Sequence, residues 1–141
     1  DFFKYLLSQI LGAFAAAFLV ANMSSNMVVQ PDLQEPVAMI LVAELIFTYL
    51  LVFVILNVAT HPNLDGNSFY GFAIGLTVMA GAFCVGPLSG GVFNPAVSIG
   101  PSLVDIITGN GISQHFVWYY LTAPMAGSVL AVIHFNYLLK K

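Results

Sequence analysis

The sequence predicts an all-α integral membrane protein with four spanning helices and one re-entrant half-helix. Of its 141 residues, 60% are hydrophobic and 6% are charged, whereas a soluble domain has about a quarter of its residues charged. The apolar residues fall into four long blocks, and a helix needs about 20 such residues to cross a bilayer. A shorter apolar stretch, which begins at an asparagine and a proline, lies between the third and fourth blocks.

The four predicted spans cover residues 2–20, 37–59, 69–85 and 116–139, and the first two connections are polar and rich in turn residues. Small residues recur in these spans at intervals of four, as at Gly71 and Gly75 in the third span and Gly127 in the fourth. This spacing lets the backbones of membrane helices approach closely. We therefore expect a tightly packed bundle.

The few positive charges predict the orientation. The chain has three lysines, Lys4, Lys140 and Lys141, and no arginine. All three flank the chain ends, and cytoplasmic segments carry the excess of positive charge in membrane proteins. With four spans both ends lie on one side, so we expect both to be cytoplasmic. No basic run indicates a nucleic-acid partner.

The residues that could carry chemistry are sparse. Cys84 is the single cysteine, and the three histidines (His61, His115 and His134) are far apart in the sequence. This pattern excludes a disulfide within the chain and gives no spacing typical of a metal site. We expect no metal, no other cofactor and no catalytic residue.

Glu44 is the most informative charged residue, because it lies within the second predicted span. A carboxylate at such depth costs several kcal/mol unless it is satisfied, so intramembrane acids usually face the interior of the bundle. Thr48 follows one helical turn later, on the same face. One interpretation is a locally bonded side chain near the interface, and the other is a buried acceptor that holds irregular backbone in place.

The region from Gly86 to Asn110 is predicted to re-enter the membrane rather than cross it. It opens with Gly86, Pro87 and further small residues, which we expect to be non-helical. Asn94 is a favourable N-cap and Pro95 a favourable first helical residue. A helix from Pro95 to about residue 107 reaches roughly 15–20 Å, about half of the hydrocarbon core. Unwound backbone at that depth must be buried in protein or line a water-filled cavity.

The stretch "SGGVFNPAVSIGPS" (residues 89–102) resembles the second Asn-Pro-Ala loop of the aquaporins, the major intrinsic protein family. The segments "YLLSQILGAFAAA", "AELIFTYLLVFVIL", "YGFAIGLTVMAGAF" and "WYYLTAPMAGSVLA" resemble the third to sixth spanning helices of that family. By this resemblance, residues 1–141 are a single aquaporin-like domain that lacks the first two spans and the first Asn-Pro-Ala loop. The chain also begins at Asp1 without an initiator methionine, and we expect it to be part of a longer protein.

The resemblance implies a function and a set of site residues. It implies a passive channel for water and other small uncharged solutes such as glycerol, urea, ammonia or peroxide, working as a homotetramer in the bilayer. Asn94, Pro95 and Ala96 would form the pore motif, and Glu44 would support the re-entrant backbone. The positive end of the half-helix dipole would help to exclude cations, as is general for aquaporin-type pores.

The resemblance also assigns three positions of the narrow selectivity filter to Ala82, Gly91 and Val97. Most family members carry arginine where this chain has Val97, so the filter residues favour a wider and less polar opening. Ser98 and Tyr120 stand where glycerol-conducting members usually have aspartate and proline, and these two residues favour a water channel. The sequence leaves both interpretations open.

Two further functions remain open at this point. The first is a non-conducting relative of the family that acts as a membrane junction or scaffold protein. The second is a proton-coupled transporter that uses Glu44 and His134.

Overall fold

The computed structural model describes residues 1–24 and 28–140. Lys141, one of the three lysines that predict the orientation, lies outside the described residues. The described residues form five α-helices: α1 (Phe2–Met23), α2 (Val37–Ile55), α3 (Tyr70–Ser89), α4 (Pro95–Thr108) and α5 (Val117–Leu139). A π-helical turn at Leu56–Thr60 extends α2, and 3₁₀ turns occupy Pro62–Leu64 and Ile112–Phe116. Across the two described ranges the regular structure is helical throughout.

In the part of the chain that the structure describes, four helical segments are long and apolar enough to cross a membrane: Phe3–Met23, Val37–Thr60, Tyr70–Ser89 and Ile112–Leu139. The apolar helix α4 has 14 residues, which corresponds to about 21 Å at 1.5 Å per residue. This length is shorter than the hydrocarbon core of about 30 Å. The predicted fold class, a membrane helix bundle with four spans and one shorter helix, is confirmed.

Close packing joins α5 to α2, and α4 to α1. A Cβ atom placed on Gly127 would collide with the backbone carbonyl oxygen of Leu45 in α2, and one on Gly100 would lie 2.6 Å from Ala13 in α1. By contrast, apart from the neighbouring backbone of α3 itself, no atom of the described residues lies within 4 Å of a Cβ placed on Gly71 or Gly75. The small residues of α4 and α5 therefore mediate packing within this chain, whereas those at 71 and 75 do not.

The third helix is longer than the sequence predicted. The sequence predicts an end near residue 85, with Gly86 and Pro87 in a non-helical lead-in, but α3 continues to Ser89. Gly90 supplies the helix stop instead, with a φ of 90° and a hydrogen bond of 2.9 Å from its N–H to the Gly86 carbonyl. Pro87 lacks only one backbone donor, and a left-handed glycine is a common helix terminus. The irregular backbone is thus confined to residues 90–94, called here the re-entrant loop.

The connections after α1 and after α4 meet at one end of the bundle. The Asp32 N–H donates to the Leu88 carbonyl at 2.9 Å, and the Val29 N–H donates to the Ser113 hydroxyl oxygen at 2.9 Å. The Ser113 N–H in turn donates to Asp105 Oδ2 at 2.8 Å. Because the last residues of α3 and the residues after α4 both contact this connection, α4 returns to the end of the bundle where α3 finishes.

Candidate functional site

The backbone of the re-entrant loop has dihedral angles that prevent helical pairing. Gly90, Gly91 and Phe93 have positive φ values of 90°, 62° and 51°. Glycine adopts such angles at little cost because it has no Cβ atom. For phenylalanine the same conformation is strained. Other parts of the chain must therefore hold the loop in shape and satisfy its polar groups.

Glu44 supplies most of this support. Its side chain, in the second turn of α2, is 0% exposed. Oε1 accepts hydrogen bonds from the Val92 N–H (3.0 Å) and the Ser89 hydroxyl (2.7 Å), and Oε2 accepts one from the Phe93 N–H (2.8 Å). Hydrogen bonds to a carboxylate are stronger than those between neutral groups, and they offset the cost of burying it. The structure therefore places Glu44 directly against the loop.

Ser89 connects this carboxylate to the first turn of the loop. Its hydroxyl donates to Glu44 and accepts a hydrogen bond from the Gly91 N–H at 3.1 Å. Its backbone carbonyl accepts a hydrogen bond from the Tyr120 hydroxyl of α5 at 2.6 Å. Ser89 and Tyr120 are both fully buried. These contacts tie α2, α3 and α5 to the same peptide groups.

Phe93 is held in its strained conformation by contacts on both sides. Its N–H donates to Glu44, and its carbonyl accepts from the Thr48 hydroxyl at 3.4 Å. Its ring packs on Phe47, with centroids 5.8 Å apart, and fills the space that Gly81 leaves open, where a Cβ atom would lie 2.8 Å from the ring. The strain is thus balanced by buried packing and hydrogen bonds.

Asn94 begins α4 as an N-cap. Its Oδ1 accepts a hydrogen bond from the Ala96 N–H at 2.9 Å, and Pro95 occupies the first helical position. The Asn94 side chain is partly exposed, and its Nδ2 makes no hydrogen bond to any of the described residues. The capping role therefore uses the oxygen and leaves the amide donor available.

Three consecutive carbonyl groups precede this donor. Those of Gly90, Gly91 and Val92 accept no hydrogen bond from the described residues, while the carbonyls of Ser89 and Phe93 on either side do. An unpaired backbone acceptor in a membrane protein needs water or another polar partner. The re-entrant loop thus presents a row of acceptors followed by one donor, an arrangement that can hydrogen-bond a polar solute.

The structure brings two of the three predicted filter residues together. A Cβ atom on Gly91 would lie 3.3 Å from the Cα atom of Ala82, so the two backbones are in contact. Val97 lies in the first turn of α4, where its N–H donates to the Asn94 carbonyl at 3.0 Å and its side chain is 44% exposed. All three residues present small or apolar groups.

The predicted pair of Glu44 and His134 is not connected. His134 hydrogen-bonds through Nδ1 with the Tyr49 hydroxyl and stacks on Phe53 with ring centroids 4.8 Å apart. The hydrogen-bonding partners of Glu44 are Ser89, Val92 and Phe93. Within the described residues, no hydrogen bond joins Glu44 to His134, and the two side chains share no hydrogen-bonding partner.

The sequence pattern does not indicate the supporting roles of Ser89, Phe93 and Tyr120. Thr48 carried a usable signal, because it lies one helical turn after Glu44 and bonds the same loop residue. The roles of Ser89 and Tyr120 depend on hydrogen bonds between residues 31 or more positions apart in the sequence, and the role of Phe93 depends on its positive φ.

The fold and the site together define a multi-pass membrane protein with a half-helix that starts at a backbone loop inside the bundle. A sequence model of the family described as "Major intrinsic protein" matches residues 2–135. The chain therefore belongs to the major intrinsic protein family, and the resemblance found in the sequence is confirmed. Members of this family are channels rather than enzymes.

Curated relatives agree with this assignment. The chain is 41% identical over 88 residues to aquaporin NIP1-4 of Oryza sativa subsp. japonica, covering 62% of this chain and 30% of the relative. It is 36% identical over 96 residues to aquaporin NIP1-1 of the same plant, covering 68% and 31%. It is 34% identical over 140 residues to glycerol uptake facilitator protein-like 6 of Lactiplantibacillus plantarum, covering 93% and 62%. The chain spans less than two thirds of the length of each of these relatives.

Proposed function

We propose that this protein is a passive channel for water and for small uncharged solutes, among them glycerol, urea, ammonia and peroxide. The observation that carries the proposal is a row of three carbonyl groups, those of Gly90, Gly91 and Val92, followed by the amide donor of Asn94, none of which hydrogen-bonds to the described residues. A solute that loses its water shell in a narrow passage can replace those hydrogen bonds along this row. The names of the relatives, which include aquaporins and a glycerol uptake facilitator, also support a channel for water and small solutes.

The N-terminus of the half-helix α4 places a positive electrostatic potential on the proposed pathway. The first N–H groups of a helix lack helical partners, and its macrodipole places about half a positive charge at the N-terminus. In this chain that end is marked by Asn94, Pro95 and Ala96. We infer that it repels cations at the centre of the membrane, as is general for aquaporin-type pores.

The proposed outer filter includes Ala82, Gly91 and Val97. None of the three side chains carries a charge, and the sequence has no arginine that could take the place of one. We infer a wide and weakly polar opening that passes solutes larger than water.

The test is Val97→Arg, with water and a panel of solutes measured by swelling and shrinking of proteoliposomes. An arginine adds bulk, a fixed charge and five N–H donors to this wall. We expect glycerol and urea permeability to fall about tenfold, which corresponds to a barrier about 1.4 kcal/mol higher. Water permeability should change much less.

The matched control is Val97→Met, which extends the side chain without a charge. It should reduce glycerol flux less than the arginine does. If the unaltered protein passes water but none of the larger solutes, the wide filter is wrong. If it passes no solute at all, the scaffold function takes the place of the channel.

We further propose that residues 1–141 form one aquaporin-like domain that works as a homotetramer, with both ends of this segment in the cytoplasm. Large apolar side chains on the outer faces of the bundle, such as Phe72 and Phe83 at 72% and 81% exposure, are suited to contact with lipid or with neighbouring subunits. Light scattering of the protein in detergent tests the assembly, and a mass different from four protomers would reject the tetramer.

A further inference from the structure

Tyr120 is a fully buried tyrosine, and among the described residues its hydroxyl donates one hydrogen bond, to the backbone carbonyl of Ser89 at 2.6 Å. The same hydroxyl lies beside the next residue of the chain, since a Cβ atom on Gly90 would be 3.2 Å from it. Tyr120 is on α5, whereas the loop follows α3. A side chain from a different helix therefore contacts the point where α3 ends and the re-entrant loop begins.

The Ser89 carbonyl belongs to the peptide group that leads into Gly90 and Gly91. Both glycines have positive φ values and can adopt many other conformations. The Gly91 N–H is tied to the Ser89 hydroxyl at 3.1 Å. Tyr120 thus acts on the orientation of the peptide group, and Ser89 transmits that orientation to Gly91.

Gly91 has little freedom to move without changing the proposed filter. A Cβ atom there would come within 3.3 Å of the Cα atoms of both Ala82 and Gly86, so its backbone already lies against α3. Its own carbonyl is one of the three loop acceptors that receive no hydrogen bond from the described residues. A rotation of the preceding peptide group would change the direction of this acceptor and the width of the opening beside Ala82.

We propose that Tyr120 is a positioning residue for the outer filter, and that its hydroxyl sets which solutes pass by fixing the Ser89 carbonyl and, through Ser89, the Gly91 backbone. This inference rests on the proposed channel function. It assigns the role to the hydroxyl group itself, since the aromatic ring would remain in a phenylalanine.

The experiment compares Tyr120→Phe with the unaltered protein in proteoliposomes, measuring water and glycerol permeability and thermal unfolding of the same preparations. Without the hydroxyl, the Ser89 carbonyl is left unpaired and the two glycines can relax. Because a looser Gly91 backbone widens the opening beside Ala82, we expect the ratio of glycerol to water permeability to rise by up to about tenfold, which corresponds to a change of about 1.4 kcal/mol in the difference between the two barriers.

The neighbouring Tyr119 provides a matched control. It is 9% exposed, and its hydroxyl makes no hydrogen bond to the described residues. Tyr119→Phe should leave the permeability ratio unchanged. Ser89→Ala, which frees the Gly91 N–H, is the second variant, and it should shift the ratio in the same direction as Tyr120→Phe.

A ratio that shifts in Tyr120→Phe and Ser89→Ala but not in Tyr119→Phe supports the positioning role. A lower unfolding temperature with an unchanged ratio shows that the hydroxyl only stabilises the fold, and it overturns the inference. Failure of both variants to fold has the same meaning. If the unaltered protein conducts neither water nor glycerol, the proposed channel function is wrong. That result is separate from a failure of the Tyr120 inference, because it is seen without any variant.

Discussion

Both oxygens of the Glu44 carboxylate are needed at the re-entrant loop, because they accept from different donors. Oε1 binds the Val92 N–H and the Ser89 hydroxyl, and Oε2 binds the Phe93 N–H. A glutamine has the same shape but one acceptor oxygen only. In either orientation of its amide, one of the two loop N–H groups would face an NH₂ group and lose its partner.

We therefore predict graded effects at this position. Glu44→Gln should lower the free energy of unfolding by about 1–3 kcal/mol, the cost of one unsatisfied buried donor. Glu44→Leu should cost more, since it removes every acceptor. Glu35→Gln, on the exposed connection between α1 and α2, is the control and should unfold like the unaltered protein.

Thermal unfolding in detergent, together with water flux, checks this order. Equal damage from the glutamine and leucine variants would mean that the negative charge itself is required. That outcome would favour proton-coupled transport over a supporting role for Glu44.

The sequence predicts some of these residues because their signals are local. An acid inside an apolar span and an Asn-Pro pair before an apolar stretch are visible without a structure. The conformation of Phe93 is not, since nothing in its neighbours requires a φ of 51°. That angle is imposed by Glu44, Thr48 and the open space at Gly81, which come from other helices.

At the scale of helices, two glycine positions that look alike in the sequence differ in their surroundings. Gly127 in α5 packs against the backbone of α2 at Leu45, whereas Gly75 in α3 has open space around it within the described residues. Both belong to rows of small residues at intervals of four. Such spacing predicts that a helix can be approached closely, but it does not identify the partner.

Alanine substitutions at these two glycines should therefore differ in their effect on stability. In Gly127→Ala the added methyl group meets the Leu45 carbonyl, so α2 and α5 must separate, at a cost of about 1–3 kcal/mol. In Gly75→Ala the better helix propensity of alanine should leave stability unchanged or raise it by less than about 1 kcal/mol. The difference in unfolding temperature of the two variants measures this. A Gly75→Ala variant as unstable as Gly127→Ala would reveal a packing partner for α3 outside the described residues.

Helix ends are predicted less well than helices themselves. The start of α4 at Pro95 follows from local capping chemistry and agrees with the structure. The end of α3 lies four residues beyond the predicted position, because Gly90 stops the helix although Gly86 and Pro87 precede it. Which of several glycines adopts the left-handed conformation depends on tertiary contacts, here the hydroxyl of Tyr120 near Gly90.

At the scale of the whole molecule, the re-entrant path of α4 determines which loops share a side of the membrane. Residues 28–32 contact both the end of α3 and Ser113 beyond α4. Leu33 and Asn110 should therefore be exposed on one side, and Asn63 and Lys140 on the other. The lysines near the chain ends assign the second side to the cytoplasm.

Single cysteines at these four positions test both statements, in a Cys84→Ser background because Cys84 is exposed. In intact cells a membrane-impermeant maleimide should label the cysteines at 33 and 110, and those at 63 and 140 only after permeabilisation. Labelling at 33 but not at 110 would mean that α4 crosses the membrane, which its 14 residues make too short to do without distorting the bilayer. A pattern reversed at all four positions would leave the re-entrant fold intact and show that the chain ends, with their lysines, lie outside the cell.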